Sequence, residues 1–427
     1  MINRLFPLVG AAALAACVAT PRVPDSLDSA ARDYVVLQLA IGEKEEGYID
    51  AYYGPPALQA EGKALSAAST LAELARRTNE LKARIAALPA IEPRRTLFLQ
   101  AQLTAAATRL RMLQGEKLGF QDEAAGLFGV RPDVKPLTAY DPLLARIETL
   151  LPGPGTLATR VDAFQERFVV KPERLKPVFD AAIAQCRTRT LRHIPHPTDE
   201  SFVLGFVTGK SWSGYNYYLG NHRSRIEINT DLPSRISRAV DLGCHEGYPG
   251  HHSLNVMLET KLVEQRGWVE YSVYPLYSPQ SLIAEGSANY GIDLAFPGAD
   301  KLAFEKRVLY PLAGLPSAEA DRYQALLDAL KDLQGARTTI ASLFLDGRIG
   351  EAEAVSLAQK YQLMSEARAK QSIAFTKQYR SYVINYGLGQ DMVRADVERY
   401  PAGDARWQRF EQIISEPTLP SDLRPAA

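Results

Sequence analysis

The stretch CHEGYPGHH, residues 244 to 252, constrains the fold more than any other part of the chain, because an unbroken helix cannot serve its spacing. In the common signature H-E-x-x-H the two His lie four residues apart, close to one turn of 3.6 residues, and so face one metal ion. Here His245 is followed by His251 and His252, at a spacing of six or seven. Six residues climb about 9 Å and turn the second side chain well away from the first, while seven restore the direction but climb about 10.5 Å. Pro249 and Gly250 supply a remedy. Pro249 lacks an N–H and pushes Tyr248 out of helical geometry, and Gly250 accepts dihedrals that other residues avoid. The spacing therefore predicts a break or bulge over residues 247 to 250 that returns His251 to the side of His245.

The rest of the chain has the composition of a globular protein. Its 427 residues are 46% hydrophobic and 23% charged, enough for one large domain or two tightly associated ones. Lys+Arg and Asp+Glu both number 49, so no overall charge recommends nucleic acid or an acidic membrane surface as a partner. The N-terminus reads differently. Met1 to Ala16 has an early Arg4 and an apolar run from Leu5 to Ala16 that is too short to span a bilayer, the layout of a secretory signal. Leu14-Ala15-Ala16-Cys17 resembles the bacterial lipobox, in which cleavage precedes a Cys that is then acylated. On that reading the mature chain begins at Cys17 and touches the membrane only through its lipid. Val18, where Asp would act as a retention signal, favours the periplasmic face of the outer membrane. An ordinary signal followed by an incidental Cys also implies export. Cys186 and Cys244 could bridge in an oxidising compartment, but two Cys in so long a chain are more often buried thiols, and Cys244 is expected to pack into the core.

Helical signals fill the region from 18 to 195. Thr70 to Glu73 has capping-box spacing and opens a periodic stretch that ends at Pro89. Arg94 to Leu113 follows, ended by Gly115, and Asp141-Pro142 starts another helix, stopped by the Pro-Gly pairs at 152 to 155. Helical patterns resume over Thr156 to Val170 and Pro172 to His193. From 196 to 427 lies the region with the His cluster, expected to pack with the first as one unit. Ser201 to Pro233 gains Gly, Asn and aromatic residues, and Ile226 to Thr230 alternates as a half-buried strand does. Helices return over Ala318 to Leu333 and Glu351 to Tyr379. The expected fold is mostly α, with a small β element next to the site.

Three of the six His fall within eight residues, around a Glu. Neutral imidazole binds zinc well, and an adjacent carboxylate commonly activates the water that attacks. A catalytic zinc site takes three protein ligands and keeps one position open. Glu285, in LIAEGSANYG, is the candidate third ligand beside His245 and His251. Gly286, Ala288 and Gly291 let its helix approach closely. His252 is either an alternative to His251 as a ligand or a catalytic donor to a reacting oxygen. The competing view makes the His residues polar groups at a helix start and Glu285 a hydrogen-bonded buried carboxylate.

HEGYPGHH resembles the H-E-x-x-P-G-H-H motif of the bacterial proteins filed as domain of unknown function 885, and AEGSANYG resembles their later E-G-W-A-x-Y motif. GYIDAYYGP at 47 to 55, the Asn-Thr-Asp-Leu-Pro ending at Pro233 and YRSYVINYGLGQD at 379 to 391 extend the likeness over nearly all of the mature chain. The family is similar to gluzincin peptidases, so the resemblance implies a helical, zincin-like architecture with two His and one Glu on zinc, and it favours His251 over His252. Ser287 and Asn289 depart from the family pattern, which leaves Glu285 in place and puts substrate preference in question.

Negative charge that builds on a carbonyl oxygen during hydrolysis needs a hydroxyl, His or Arg to meet it. Tyr386 is the first candidate, Arg380 a candidate carboxylate clamp, and Tyr215, Tyr217 and Tyr218 candidate cleft walls. The expected function is a zinc-dependent peptidase with Glu246 as general base and a peptide or amide as substrate. Two alternatives remain: a zinc amidase acting on a non-peptide or cell-wall amide, and a non-catalytic, metal-containing binding lipoprotein.

Overall fold

The computed structural model describes residues 25–89 and 91–423; the lipobox, Leu14 to Cys17, lies outside them. The fold is mostly helical, with two small sheets. The expected helices form where the capping signals stand. Thr70 accepts from the Glu73 amide at the start of Leu71–Ala87, and Pro93 and Pro172 occupy first turns of Pro93–Leu113 and Pro172–Thr190, where no intrahelical N–H is needed. One expectation fails. Glu351 to Tyr379 is two helices, Glu351–Tyr361 and Glu366–Tyr379. Leu363 sits between them at φ 52° with its side chain buried, so packing of that residue holds a turn that helical periodicity does not reveal.

The region from 201 to 229 folds into three strands. β2 (Ser201–Val207) runs parallel to β4 (Arg223–Asn229), and β3 (Gly214–Gly220) runs antiparallel to β4 on its other side. β1 (Ile49–Tyr52) pairs antiparallel with β5 (Val273–Pro275). That second sheet ties the N-terminal helices to the later region, and one continuous apolar core includes residues of both. Neither β1 nor β5 stands out in the sequence, because four and three residues are too short to establish an alternation.

The two Cys expected to be thiols are bridged. Cys186, in Pro172–Thr190, and Cys244, in Ser237–Glu246, have Cα atoms 5.5 Å apart and form a disulfide. Sequence cannot foresee this, since the residues are 58 positions apart and only the packing of their two helices brings them together.

Candidate metal centre

The helix Ser237–Glu246 stops one residue after His245, and a new helix, His251–Leu258, starts on the second His. Between them Gly247 adopts φ −101°, ψ −100° and Gly250 φ −79°, ψ −139°, and the Tyr248–Pro249 peptide bond is cis. The amide of Gly250 returns to the carbonyl of Cys244 at 3.1 Å, which folds the four residues back on the helix end. Gly250 is required by that close approach, because a Cβ there would lie 1.8 Å from the carbonyl oxygen of His245.

The consequence is a triangle of ligand-type atoms. His245 Nε2 and His251 Nε2 are 3.2 Å apart, and Glu285 Oε2 is 3.2 Å from the first and 3.7 Å from the second. Three donors at 2.0–2.1 Å from one tetrahedral ion are separated by about 3.3 Å, so these edges fit a zinc-sized centre. A second observation agrees. Glu285 Oε2 is buried and lacks a well-aligned hydrogen-bond donor, while Tyr382 donates its hydroxyl to Oε1 at 2.7 Å. One carboxylate oxygen is thus held and the other is left for the centre. His245, His251 and Glu285 form the metal-capable cluster found among the described residues.

The neighbours orient these groups. His245 Nδ1 lies 3.0 Å from Asn289 Oδ1, and Asn289 Nδ2 donates to the Tyr386 carbonyl at 3.1 Å, which fixes the amide with its oxygen toward the ring. Nδ1 therefore carries the hydrogen and Nε2 presents a lone pair. Asn289 follows Glu285 by four residues on Pro279–Ala295, one turn along the same face. Spacing from Glu285 could have found it. Close approach of this helix to Ile384–Val397 occurs at Gly286, where a Cβ would meet the backbone of Gly389 at 2.4 Å.

Glu246 is buried but lines the adjacent cavity, with Gly214 leaving room for its carboxylate. Burial pushes the Glu246 carboxyl above the usual range, against the pull of His245 and His251. Burial opposes charge on His251, yet Glu285, Glu246 and Asp50 together push it up to about 9. Glu285 is held well below the usual carboxylate range by His251 and His245 in spite of its burial. The same field of carboxylates would hold a divalent cation. Asp50 on β1 completes it. Its carboxylate accepts from the Tyr215 hydroxyl, and burial raises it to about 6.

The cavity has a volume of about 560 Å³ and is bounded by Glu246 and the two His on one side and by Tyr379, Tyr382 and Tyr386 on another. Tyr386 lies over His245 with ring centroids 6.4 Å apart. Of the aromatic run in β3, Tyr215 lines the cavity; Tyr218 points the other way and donates to Glu259. Tyr217 packs against Tyr215 at a tilt and does not line the cavity.

Two expectations need correction. His252 is fully buried and away from the cavity, with Nδ1 at 2.8 Å from Ser224 Oγ and Nε2 at 2.9 Å from Glu200 Oε2. Consecutive helical residues diverge by about 100°, so only one of the His pair can face Glu285. His252 therefore has no free donor for a reacting oxygen. Arg380 is also committed elsewhere, both Nε and Nη2 donating to the buried Glu123 at 2.8 and 2.6 Å. Residues that the sequence did not single out are Tyr382, Asp50 and Arg337, whose types and spacings carry no signature of their own.

No family model matches the chain, and no curated protein does either. Among solved structures the chain is similar to the "putative lipoprotein from Colwellia psychrerythraea", with a TM-score of 0.51 and 15% identity, over 86% of this chain and 72% of that one. At that identity the likeness is one of fold.

Proposed function

We propose that this protein is a zinc-dependent peptidase that cuts peptide bonds by water attack, with His245, His251 and Glu285 holding the metal. The observation that carries the reading is the triangle of ligand atoms at 3.2, 3.2 and 3.7 Å beside a buried, cavity-facing Glu246. A bound zinc ion would supply Lewis acidity to the scissile carbonyl and to the attacking water. Glu246 accepts the proton of that water and returns it to the leaving amine, a task suited to a carboxyl raised by burial. Tyr386, a cavity residue beside His245, is the group we assign to the developing oxyanion. Tyr382 and Asn289 keep Glu285 and His245 in register.

The motif likeness to domain of unknown function 885 supports the same chemistry and a gluzincin-like ancestry. We also propose that the chain is exported and anchored through an acylated Cys17. The leader and lipobox pattern supports this, as does the Cys186–Cys244 disulfide, since such bonds persist in oxidising compartments. The lipoprotein of similar fold is in keeping with it.

The test is metal analysis of purified protein together with turnover of a mixed peptide library by wild type and Glu246→Gln. Glu246→Gln should retain zinc and lose at least about 10²-fold in turnover, the lower end of what general-base catalysis contributes. Loss of zinc in this variant makes Glu246 a ligand; near-normal turnover moves the base elsewhere.

A further inference from the structure

The charges on the cavity wall are not all paired. Apart from Glu285 and Glu246, its carboxylates have partners: Asp241 pairs with Lys301 at 2.5 Å, Asp293 with Arg394 at 2.6 Å, and Asp50 accepts from Tyr215. Three guanidinium groups on the wall, Arg238, Arg337 and Arg368, have no carboxylate within salt-bridge distance among the described residues. Arg368 at least donates to the Pro233 carbonyl at 2.9 Å.

Arg337 is the most exacting of the three. It projects from the helix Gln334–Leu345, and its Nε is shielded from solvent with no hydrogen-bond partner. The guanidinium lies against the rings of Tyr386 and Phe375, 5.3 and 5.4 Å from their centroids. The residue as a whole is half-buried, and the two aromatic faces give the cation no charged partner. Glu285 does not serve as the missing partner, since its oxygens are turned to Tyr382 and to the two His.

Position defines the occupant. Arg337 and His245 both lie near the Tyr386 ring, so the guanidinium is no further from the His245 ring than the spans of 5.3 and 6.4 Å laid end to end. One extended residue covers about 3.5 Å, and a guanidinium–carboxylate pair adds about as much again. A peptide with its scissile bond at the metal centre can thus bring a carboxylate within about two residues of that bond into range of Arg337.

The geometry points to Arg337 as the receptor for a substrate carboxylate within about two residues of the cleaved bond, so that the substrates are carboxylate-bearing peptides. This rests on the peptidase reading above. The carboxylate has two sources: the free C-terminus of the segment released, or an Asp or Glu side chain.

The test uses the full chain and three N-acetylated tripeptides of otherwise identical sequence: a free acid, its C-terminal amide, and the amide with Glu as last residue. Binding is measured by calorimetry on metal-stripped protein and turnover on zinc-loaded protein. The acid should bind roughly 10- to 100-fold more tightly than the neutral amide, the range of one charge-assisted hydrogen-bond pair. Arg337→Met should erase that ratio while leaving amide binding unchanged, and Arg337→Lys, which keeps the charge without the planar fork, should retain part of it. Tight binding of the Glu amide assigns the side chain as the source; tight binding of the acid alone assigns the C-terminus. Equal binding of acid, Glu amide and neutral amide overturns the proposal, as does a preference that survives Arg337→Met. A binding preference without turnover of any peptide leaves the receptor standing and removes the peptidase reading; turnover without a preference does the reverse.

Discussion

Replacing Gly250 with Ala tests whether the break over residues 247 to 250 is what assembles the candidate metal centre. The new Cβ would stand 1.8 Å from the carbonyl oxygen of His245 and 2.4 Å from that of Cys244. Ordinary contact between such atoms is about 3.5 Å, so the shortfall at His245 is about 1.7 Å. Neither obstacle is the end of a flexible side chain. Both are backbone carbonyls at the end of the helix that carries His245, so either that helix end or the turn must shift by more than about 1 Å, whereas metal–ligand distances tolerate only about 0.2 Å. His251 follows directly and moves with the turn. Zinc affinity should fall by more than the 10- to 100-fold that losing a single outer-shell partner costs. Overpacking should also cost the metal-free protein about 1–3 kcal/mol, seen as a lower melting temperature. The assay is competition for zinc against a chromophoric chelator, with a circular dichroism melt of the stripped protein. Gly350→Ala is the control: a Cβ there meets nothing within 4 Å and should leave zinc affinity unchanged. If Gly250→Ala binds zinc as the wild type does, the turn is not what fixes the ligands and the argument from spacing is wrong.

Three further outcomes are expected. Asn289→Ala frees the His245 ring to rotate and to exchange tautomers, and should weaken zinc binding 10- to 100-fold in the same competition assay with little change in the melt. Cys17→Ser should move the protein from the membrane to the soluble fraction; a membrane-bound variant, or an unmodified Cys17 by mass spectrometry, removes the anchor. Glu305 is pushed by burial, aided by Asp241 and opposed by Lys301, from the usual 4.5 to about 7, so its contribution to stability is lost as pH rises through that interval. Glu305→Gln should therefore raise the melting temperature more at pH 8 than at pH 5, and an equal change at both contradicts the assignment.

The candidate centre was legible because its chemistry is concentrated. His245, Glu246 and His251 sit within seven residues, and their irregular spacing, together with Pro249 and Gly250, announces the break. Glu285 was reachable through its small neighbours Gly286 and Gly291. What stayed hidden is what tertiary packing alone assembles. Tyr382 and Tyr386 are one turn apart with the same residue type, so no pattern distinguishes the one that holds Glu285 from the one that lies over His245. Asp50 reads as a polar residue of a short strand, and only the pairing of β1 with β5 brings it to the cavity. Arg337 reads as one more cation on an amphipathic helix. Cys186 and Cys244 illustrate the opposite error, where a prior drawn from chain length outweighed a pairing that the fold makes close.

His252 changes what the His cluster signifies. Three clustered His suggested ligands and a catalytic donor, yet the third faces the far side of its helix and belongs to a buried clasp. Glu200, just before β2, accepts from the hydroxyl of Tyr248 and from Arg187, and meets the ring of His252. One carboxylate thereby grips both flanks of the Pro249 turn. On the opposite flank Gly291 provides the notch for Pro249, since a Cβ there would lie 2.7 Å from its ring. Gly291 is on the same helix as Glu285 and Asn289, so the turn is seated directly on the element that brings the third candidate ligand. The disulfide at Cys244 fixes the helix one residue before His245. The inserted Tyr-Pro pair is thus fastened from the outside by Glu200 and His252 and received on the inside by the Glu285 helix, and this double hold substitutes for the single helical turn that spaces the ligands in the shorter motif.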